Sequence, residues 1–335
     1  MSNDVLMART QLPKDHIDLG IGEPHILREA VLKCFNLNAI DMAKFDFSNL
    51  QQPWEYAPPN GYPALVKLLE ERYNAPVVVT IGAKHGIFAA LHALRQTGVR
   101  SVAYRTPYWS SFPFMIESMG LKSVTNTNKN YIADSYLFVM PNNPDGFIVH
   151  ENTKLDIPVP IIHDAAYYTE SYLPENYKFG PIGDMQVFSA SKMYGLSGLR
   201  LGWVVCHNRD FYKSLTAYVE ASTAGVSTVS QRVLMSIIQA ENEQPRLRRW
   251  FSEQMREHLT WAQHELRRLD PKVLEPQSLD GMFGWCQKGE CFSSESKVHV
   301  MDGSHFGDRS MVRLNLAVPK EILSEAIDKL NLLGS

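Results

Sequence analysis

The stretch FSASKMYGLSGLRLGW, residues 188–203, decides the interpretation of this chain. A short apolar run ends at Ser189 and is followed by Ser191 and Lys192. Arg200 comes eight residues after the lysine, beyond a glycine-rich turn. Two hydroxyls, an amine and a guanidinium can hold a phosphate beside a reactive amine. Lysine and arginine near strand ends are also common as solvated surface residues. This stretch alone leaves both interpretations open.

Composition restricts the function classes. The 335 residues suffice for two domains or one large domain with an appendage, and 44% hydrophobic with 21% charged residues is ordinary for a globular protein. A net charge of −3 argues against a nucleic-acid partner, which requires excess Lys and Arg. No apolar run has the length of a signal peptide or membrane span, so we expect no membrane partner and a cytoplasmic location.

The four cysteines do not suggest a metal site. Only two are close together, in the segment CQKGEC at residues 286–291, and no second Cys or His pair completes a zinc site. We therefore expect no metal and reduced thiols.

Short β-branched or aromatic runs alternate with amphipathic stretches between residues 77 and 205, the pattern of an α/β sheet. The predicted strands are PVVVT (76–80), SVAY (101–104), YLFVM (136–140), VPII (159–162), MQVFS (185–189) and GWVVC (202–206). The segment HGIFAALHALRQTG predicts a helix with a glycine stop.

The C-terminal part has a different character. We expect long helices between residues 210 and 270, then a glycine-rich turn at SLDGMFGWC (278–286). Two short strands, KVHVM and MVRLNLAV, and an amphipathic helix end the chain. This order predicts a second, smaller domain.

Polar and aromatic residues follow the predicted strands, where ligands of open α/β sheets bind. Gly82 and Ala83 follow the first strand, and Tyr108 with Trp109 the second. The next strands are followed by Asn143, by Asp164 with Tyr167, and by Lys192. Each residue alone is more often a turn, cap or core residue. Together, they suit a planar aromatic cation that carries a phosphate, an aldehyde and a phenolic oxygen.

These motifs closely resemble the fold-type I pyridoxal phosphate enzymes, specifically the class I/II aminotransferases, from DLGIGEP near the start to VRLNLAV near the end. The resemblance implies an α/β fold: a mostly parallel seven-stranded sheet flanked by helices in three layers, plus a smaller α+β domain. It places the large cofactor-binding domain at residues 39–242 and the small domain at residues 1–38 and 243–335.

The resemblance also implies roles for the cofactor-binding residues. Lys192 forms the Schiff base with pyridoxal phosphate, Asp164 pairs with the pyridine nitrogen, and Tyr167 is the third catalytic residue. Asn143 and Tyr167 bind the ring oxygen, and Tyr108 stacks on the ring. The phosphate is held by the following residues: Gly82, Ala83, Lys84, Ser189 and Arg200.

Further residues are implied to contact substrate or a neighbouring subunit. Arg313 resembles the arginine that binds the substrate α-carboxylate, assisted by Asn143 and by the backbone of Gly22. Tyr56 resembles the tyrosine that reaches the cofactor phosphate of a second subunit, which implies a homodimer. Tyr194 and Trp109 are candidates for side-chain selection, although core packing suits them equally.

The implied activity is transfer of an amino group between an α-amino acid and a 2-oxo acid, in amino acid metabolism and biosynthesis. PNNPDG, HDAAYYTESY and GVSTVSQ are similar to the tryptophan aminotransferase and alliinase branch, whereas TPYWSSFP and GAKHG resemble prokaryotic aspartate and aromatic aminotransferases. The alternatives are a lyase or decarboxylase that uses the same cofactor, and a binding protein without turnover. The short N-terminal arm and Asp302, where the family often has proline, depart from the pattern.

Overall fold

The structure, a computed structural model, describes residues 12–34, 56–126, 133–148, 158–269 and 281–334. The predicted N-terminal arm before residue 12 and the domain boundary near residue 39 lie outside these residues. Within the described residues, no helix is long and apolar enough to cross a membrane.

The strands of the described residues are short, and six of them match those predicted between residues 76 and 206. They are β1 (Ile17–Asp18), β2 (Val77–Thr80), β3 (Ser101–Arg105), β4 (Lys122–Asn126), β5 (Ser135–Val139), β6 (Ile161–Asp164), β7 (Met185–Ser189), β8 (Gly202–Cys206), β9 (Phe283–Gln287), β10 (Val298–His299), β11 (Met301–Asp302) and β12 (Met311–Asn315).

Most of the α-helices connect these strands or follow β8. They are α1 (His25–Cys34), α2 (Pro63–Tyr73), α3 (Gly82–Gln96), α4 (Phe112–Ser118), α5 (Ala190–Met193), α6 (Tyr212–Thr223), α7 (Thr228–Glu243), α8 (Pro245–Leu266) and α9 (Lys320–Gly334).

Seven strands form the central sheet in the order β2-β8-β7-β6-β5-β3-β4. Strand β8 is antiparallel to β2 and β7, and the remaining pairs are parallel. This confirms the predicted mostly parallel seven-stranded sheet. The strand missing from the prediction is β4, an edge strand whose sequence KSVTN contains one apolar residue, Val124. Edge strands carry polar side chains, so the usual hydrophobic pattern is weak there.

Both faces of the central sheet are covered. Strands β2 and β5 to β8 are buried along their whole length, as is typical of a sheet between two helical layers. Helix α3 packs against β7, β8 and α6. A Cβ on Gly86 of this helix would lie 2.7 Å from Val187 Cγ1 of β7 and 3.1 Å from Val204 Cγ2 of β8, so the glycine lets the helix lie close to the sheet.

A smaller α+β part is confirmed and joins both ends of the described chain. Strands β11, β12 and β9 form an antiparallel sheet, and β1 pairs with β10. Helix α8 packs against α1 and α9. Residue 242 lies near the junction of α7 and α8, but the proposed division into domains stays a prediction.

The turn predicted at residues 278–286 was wrong from Phe283 onward, because β9 begins there. Strand β9 pairs with β12, with Gly284 opposite Leu314. A Cβ on Gly284 would lie 2.6 Å from Leu266 Cδ2 of helix α8. This glycine therefore permits close packing of α8 on the strand and does not make a turn.

Gly202 gives a test of how the central sheet supports α3. A Cβ at this position would lie 2.6 Å from the Phe188 carbonyl oxygen and 2.7 Å from the Gly82 carbonyl carbon. Because both neighbours are backbone, Gly202→Ala should lower the free energy of unfolding by about 1–3 kcal/mol. Chemical denaturation measures this change.

The matched control is Gly180→Ala, whose Cβ would have no atom within 4 Å. It should change the free energy of unfolding by less than about 0.5 kcal/mol. Equal losses for the two variants would contradict the packing at Gly202.

Candidate active site

A cavity of about 590 Å³ lies at the carboxyl ends of the parallel strands. Val139, Asp164 and Ser189, the last residues of β5, β6 and β7, line it. The start of α3, the segment 20–23 and Arg313 of β12 complete the wall. Its volume is in the range of small-molecule sites. The cavity therefore lies where the sequence predicts a ligand, between the large sheet and the smaller part.

Lys192 lies in α5, directly after β7, and its side chain enters the cavity. The Nζ atom donates a hydrogen bond to the carbonyl oxygen of Gly22. Burial, with the positive charge of Arg313 as the next cause, lowers the pKa of the amine from 10.5 to about 8. Because only the neutral amine is nucleophilic, this shift favours attack on a carbonyl.

Asp164 ends β6 and lies at the buried floor of the cavity. Burial raises the pKa of its carboxyl group to about 7, although the backbone N–H of Ala166, 3.1 Å from Oδ1, and the charge of Lys192 act in the opposite direction. A carboxylate in such a place needs a cationic partner. The floor therefore suits a ligand with a protonated ring nitrogen.

Arg313 is a buried cation with 6% of its surface exposed. Nη1 donates to Asn143 Oδ1 at 2.7 Å and Nη2 donates to the Gly20 carbonyl at 2.6 Å. The guanidinium carbon lies 4.2 Å from the ring centroid of Phe283 and 4.8 Å from that of Phe306. Among the described residues no carboxylate forms an ion pair with Arg313. Its Nε is buried without a partner, so the cavity can accept an anionic group here.

The second cationic region faces the N-terminus of α3. Lys84 and Arg200 line the cavity with Ala83, Ser189 and Ser191. Burial and the neighbouring charge of Arg200 lower the pKa of Lys84. Gly82 adjoins this region, because a Cβ there would lie 3.0 Å from Arg200 Nη2. Two cations, two hydroxyls and free N–H groups at a helix start form an anion site.

The structure brings Trp109, and not Tyr108, into the cavity. The ring of Tyr108 packs edge-on against Tyr104 at 4.9 Å, and its backbone N–H donates to the Phe306 carbonyl at 3.1 Å. Trp109 lies under the ammonium of Lys84, 5.3 Å from Nζ to the ring centroid. Tyr108 therefore does not line the cavity as predicted, and Trp109 supplies the aromatic face there. The sequence places both residues in the same loop and does not determine which of them turns inward.

The other predicted residues divide into two groups. Tyr167 and Gly22 line the cavity, and burial raises the pKa of the tyrosine hydroxyl. Tyr56 is 87% exposed and lies outside this cavity. Tyr194 is excluded from it as well: its hydroxyl lies in the core, 3.0 Å from Glu241 Oε2. This corrects its proposed role in side-chain selection.

The sequence analysis missed several cavity residues, among them Glu23, Phe283 and Phe306. Phe306 belongs to a short 3-10 helix, Gly303–Phe306, and Asp302 is the N-cap residue that precedes it. Asp302 Oδ1 accepts the Ser304 N–H at 2.9 Å, and its other oxygen binds Lys288. The aspartate that departs from the family pattern thus caps the turn that places a ring on Arg313. Among the described residues, no group of three or more potential ligands could hold a metal ion.

Much of the chain is similar in sequence to known proteins. Residues 68–267, more than half of the chain, match the model of the allinase family, Alliinase_C. The chain belongs to the allinase family. Tryptophan aminotransferase-related protein 2 of Arabidopsis thaliana is 29% identical over 283 residues, which cover 72% of this chain and 62% of that protein. Alliin lyase of Allium cepa var. aggregatum is 32% identical over 114 residues, 34% of this chain and 24% of the lyase.

The solved structures identify the fold. A mutant aspartate aminotransferase of Thermus thermophilus matches with a TM-score of 0.76 and 19% identity, over 98% of this chain and 94% of that chain. This allinase-family chain thus has the fold of the fold-type I aminotransferases. It spans less than two thirds of the length of the tryptophan aminotransferase-related proteins that it matches.

The cavity fits pyridoxal phosphate, the cofactor of this family. Lys84, Arg200 and the start of α3 would hold the phosphate, and Lys192 would bind the aldehyde carbon. The buried carboxyl of Asp164 would pair with the ring nitrogen, and Trp109 offers a flat face. Asn143 and Tyr167 would face the ring oxygen. The charges of Lys84, Arg200 and Asp164 are those that this molecule would compensate.

Asp164 predicts an unusual pH dependence of stability for the cofactor-free protein. Because its pKa is raised from 3.8 to about 7, the folded state keeps a proton that the unfolded chain releases between these values. Its contribution to stability is present below pH 3.8 and is lost as the pH rises towards 7, by up to about 1.4 kcal/mol per pH unit. Asp164→Asn should remove this slope.

The measurement is urea unfolding across this pH range. The control is Asp328→Asn, a change at an exposed carboxylate of α9. If wild type and Asp164→Asn show parallel pH dependence, the buried state of Asp164 is contradicted.

Proposed function

We propose that the protein is a pyridoxal phosphate-dependent aminotransferase that moves an amino group between an α-amino acid and a 2-oxo acid. One observation carries this proposal: Lys192 lies in a cavity with a buried acid, Asp164, and a buried anion receptor, Arg313. These three groups would hold the reacting carbon, the ring nitrogen and the substrate carboxylate. The similarity to tryptophan aminotransferase-related protein 2 supports the same activity.

The reaction divides between the cofactor and this chain. Bound pyridoxal phosphate supplies an aldehyde and a protonated ring that withdraws electrons from the α-carbon. In its neutral form the Lys192 amine would hold the aldehyde carbon of the cofactor, and once the substrate amine replaced it there, the freed amine would move the proton at the substrate α-carbon. Asp164 would hold the proton at the ring nitrogen. Its pKa of about 7 in the free cavity means that a cationic partner is needed to keep it fully ionised at neutral pH.

Arg313 orients the substrate. Asn143 accepts one N–H of Nη1, and the Gly20 carbonyl accepts one N–H of Nη2. The rings of Phe283 and Phe306 lie against the guanidinium and restrict its tilt. The remaining N–H groups can bind a carboxylate in the bidentate geometry that arginine favours. A carboxylate fixed at this point directs the α-carbon of an amino acid towards Lys192.

The proposal includes a homodimer in which Tyr56 of one subunit contacts the cofactor phosphate of the other. Its support is the exposure of Tyr56, which leaves the ring available beyond its own subunit. A cytoplasmic location and a role in amino acid biosynthesis stay predictions from the sequence.

The second candidate is a lyase that breaks a bond at the β-carbon of an amino-acid-like substrate. The allinase family match and the resemblance to alliin lyase favour it over a decarboxylase. The same Lys192, Asp164 and Arg313 would serve this reaction, because the bond that breaks depends on substrate orientation. The third alternative is a binding protein without turnover. It gives no reason for the lowered pKa of the Lys192 amine.

A product assay separates the candidates. The protein is loaded with pyridoxal phosphate and given a panel of α-amino acids, with visible absorbance and released ammonia, carbon dioxide and 2-oxo acid recorded. Loss of the visible band with one donor, and its return on addition of a 2-oxo acid, supports amino transfer. Release of ammonia with pyruvate or of carbon dioxide, without a return of the band, would replace it with lyase or decarboxylase chemistry.

Arg313→Ala tests substrate orientation. Loss of a buried partner for the carboxylate should lower kcat/KM for the amino donor by about 100-fold or more, mainly through KM. The same variant should lose little activity towards an amine that has no α-carboxylate.

The matched control is Arg309→Ala, which removes an exposed arginine four residues away. It should leave KM unchanged. An Arg313→Ala protein with the wild-type KM would show that the substrate carboxylate binds elsewhere.

A further inference from the structure

The turn that carries Asn143 contains a second asparagine with no role in the proposed chemistry. Asn142 is 3% exposed and does not line the cavity. Its side-chain amide nitrogen donates to the Pro107 carbonyl at 3.1 Å and to Asp145 Oδ1 at 2.7 Å. Both amide N–H groups of Asn142 therefore have acceptors, one in each of two loops.

The carboxylate of Asp145 accepts hydrogen bonds from three donors. Its Oδ2 accepts from Arg105 Nη2 at 2.9 Å, and its Oδ1 accepts the Phe147 N–H at 3.1 Å as well as the Asn142 amide. The guanidinium of Arg105 also lies 4.3 Å from the ring centroid of Phe147. A carboxylate with this number of donors has one orientation, and so the acceptor for Asn142 is fixed.

The backbone closes the turn around the same residue. The Asn142 N–H donates to the Phe147 carbonyl at 2.9 Å, and the Asn142 carbonyl accepts the Gly146 N–H at 2.9 Å. Arg105 is the last residue of β3, whereas the turn follows β5. The contacts of Asn142 and Asp145 thus connect the ends of two neighbouring strands.

Each connected loop supplies one group to the cavity. Trp109 lies two residues after Pro107, and Asn143 directly follows Asn142. Trp109 offers the flat face for the cofactor ring, and Asn143 contacts Arg313. Between them, the Tyr108 N–H binds the carbonyl of Phe306, whose ring lies on Arg313.

We propose that Asn142 is a positioning residue of this site: its amide, oriented by Asp145, sets the separation between the loop that carries Trp109 and the turn that carries Asn143. The side chain of Asn142, which contacts neither cofactor nor substrate, then determines the positions of Trp109 and Asn143. Through Asn143 it also affects the orientation of Arg313. The kinetic part of this inference rests on the proposed aminotransferase activity. The cofactor-binding part rests only on the site.

The test compares Asn142→Ala with Asn208→Ala. Asn208 makes the same kind of contact, an amide nitrogen 3.1 Å from Asp184 Oδ1, at the other end of the sheet and outside the cavity. Both variants remove an amide that binds a carboxylate. Four quantities are measured for each protein: the denaturation midpoint without cofactor, the dissociation constant for pyridoxal phosphate, and kcat and KM for an active amino donor.

We expect Asn142→Ala to weaken cofactor binding and to lower kcat/KM, each by about 10- to 100-fold, because small displacements of positioned groups have effects of this size. The wild-type and Asn208→Ala proteins should bind cofactor equally well, although both variants lose stability. Unchanged cofactor affinity and kinetics in Asn142→Ala, with a loss of stability alone, would overturn the proposal.

A second variant separates the two contacts and guards against simple misfolding. Asn142→Asp combined with Asp145→Asn restores a donor and an acceptor between these two positions but faces the Pro107 carbonyl with a carboxylate. If this protein folds and still binds cofactor weakly, a contact between positions 142 and 145 does not by itself set the separation of the loops, as the proposal requires. Full recovery of cofactor affinity would contradict the proposed link between the loops.

The two proposals fail in different ways. A wild-type protein that binds pyridoxal phosphate but transfers no amino group overturns the proposed function. The comparison of cofactor affinities between Asn142→Ala and Asn208→Ala still decides the positioning role.

Discussion

The burial of two cations and one acid in a single cavity is the constraint on which the structure depends. Lys192 and Arg313 lie inside with their pKa values lowered, and Asp164 lies inside with its pKa raised. Burying charges is costly unless hydrogen bonds and opposite charges compensate them. Backbone carbonyls of Gly20 and Gly22 and the side chain of Asn143 provide part of this compensation. A zwitterionic substrate and a phosphorylated, cationic cofactor would provide the remainder.

Both parts of the fold are needed to build this cavity. The parallel sheet places Asp164, Ser189 and Asn143 at one edge, because the carboxyl ends of parallel strands meet there. The smaller sheet supplies Arg313, and Asn315 on the same strand donates to the carbonyls of Ile21 and Glu23 at 2.8 Å each. Strand β12 therefore holds the segment 20–23 at the cavity through Asn315. The same strand carries Arg313, whose guanidinium donates to the Gly20 carbonyl of that segment.

Most of the large sheet and the main chemical groups could be predicted from the sequence. Buried parallel strands are continuous apolar runs, and the residues after them lie at the ligand edge, so Lys192, Asp164 and Asn143 follow from local patterns. The contacts of Arg313 could not be derived from local patterns, since Asn143 and Gly20 are 170 and 293 residues away. The role of Arg313 came from family resemblance alone.

The wrong predictions concern residues whose placement depends on distant contacts. Tyr108 and Trp109 are neighbours of similar character, and the direction of each ring depends on a tertiary hydrogen bond to Phe306. Gly284 looks like a turn residue, but the helix packed against it requires the glycine within a strand. In both cases, a long-range contact overrides what the short segment indicates.

The central claim, that Lys192 is the amine which binds the cofactor, can be tested by chemical trapping. The protein loaded with pyridoxal phosphate is reduced with borohydride and digested, and the modified peptide is located by mass spectrometry. The account predicts a phosphopyridoxyl group on the peptide that contains Lys192. Modification of Lys84, the other lysine of the cavity, or of no cavity peptide would contradict it.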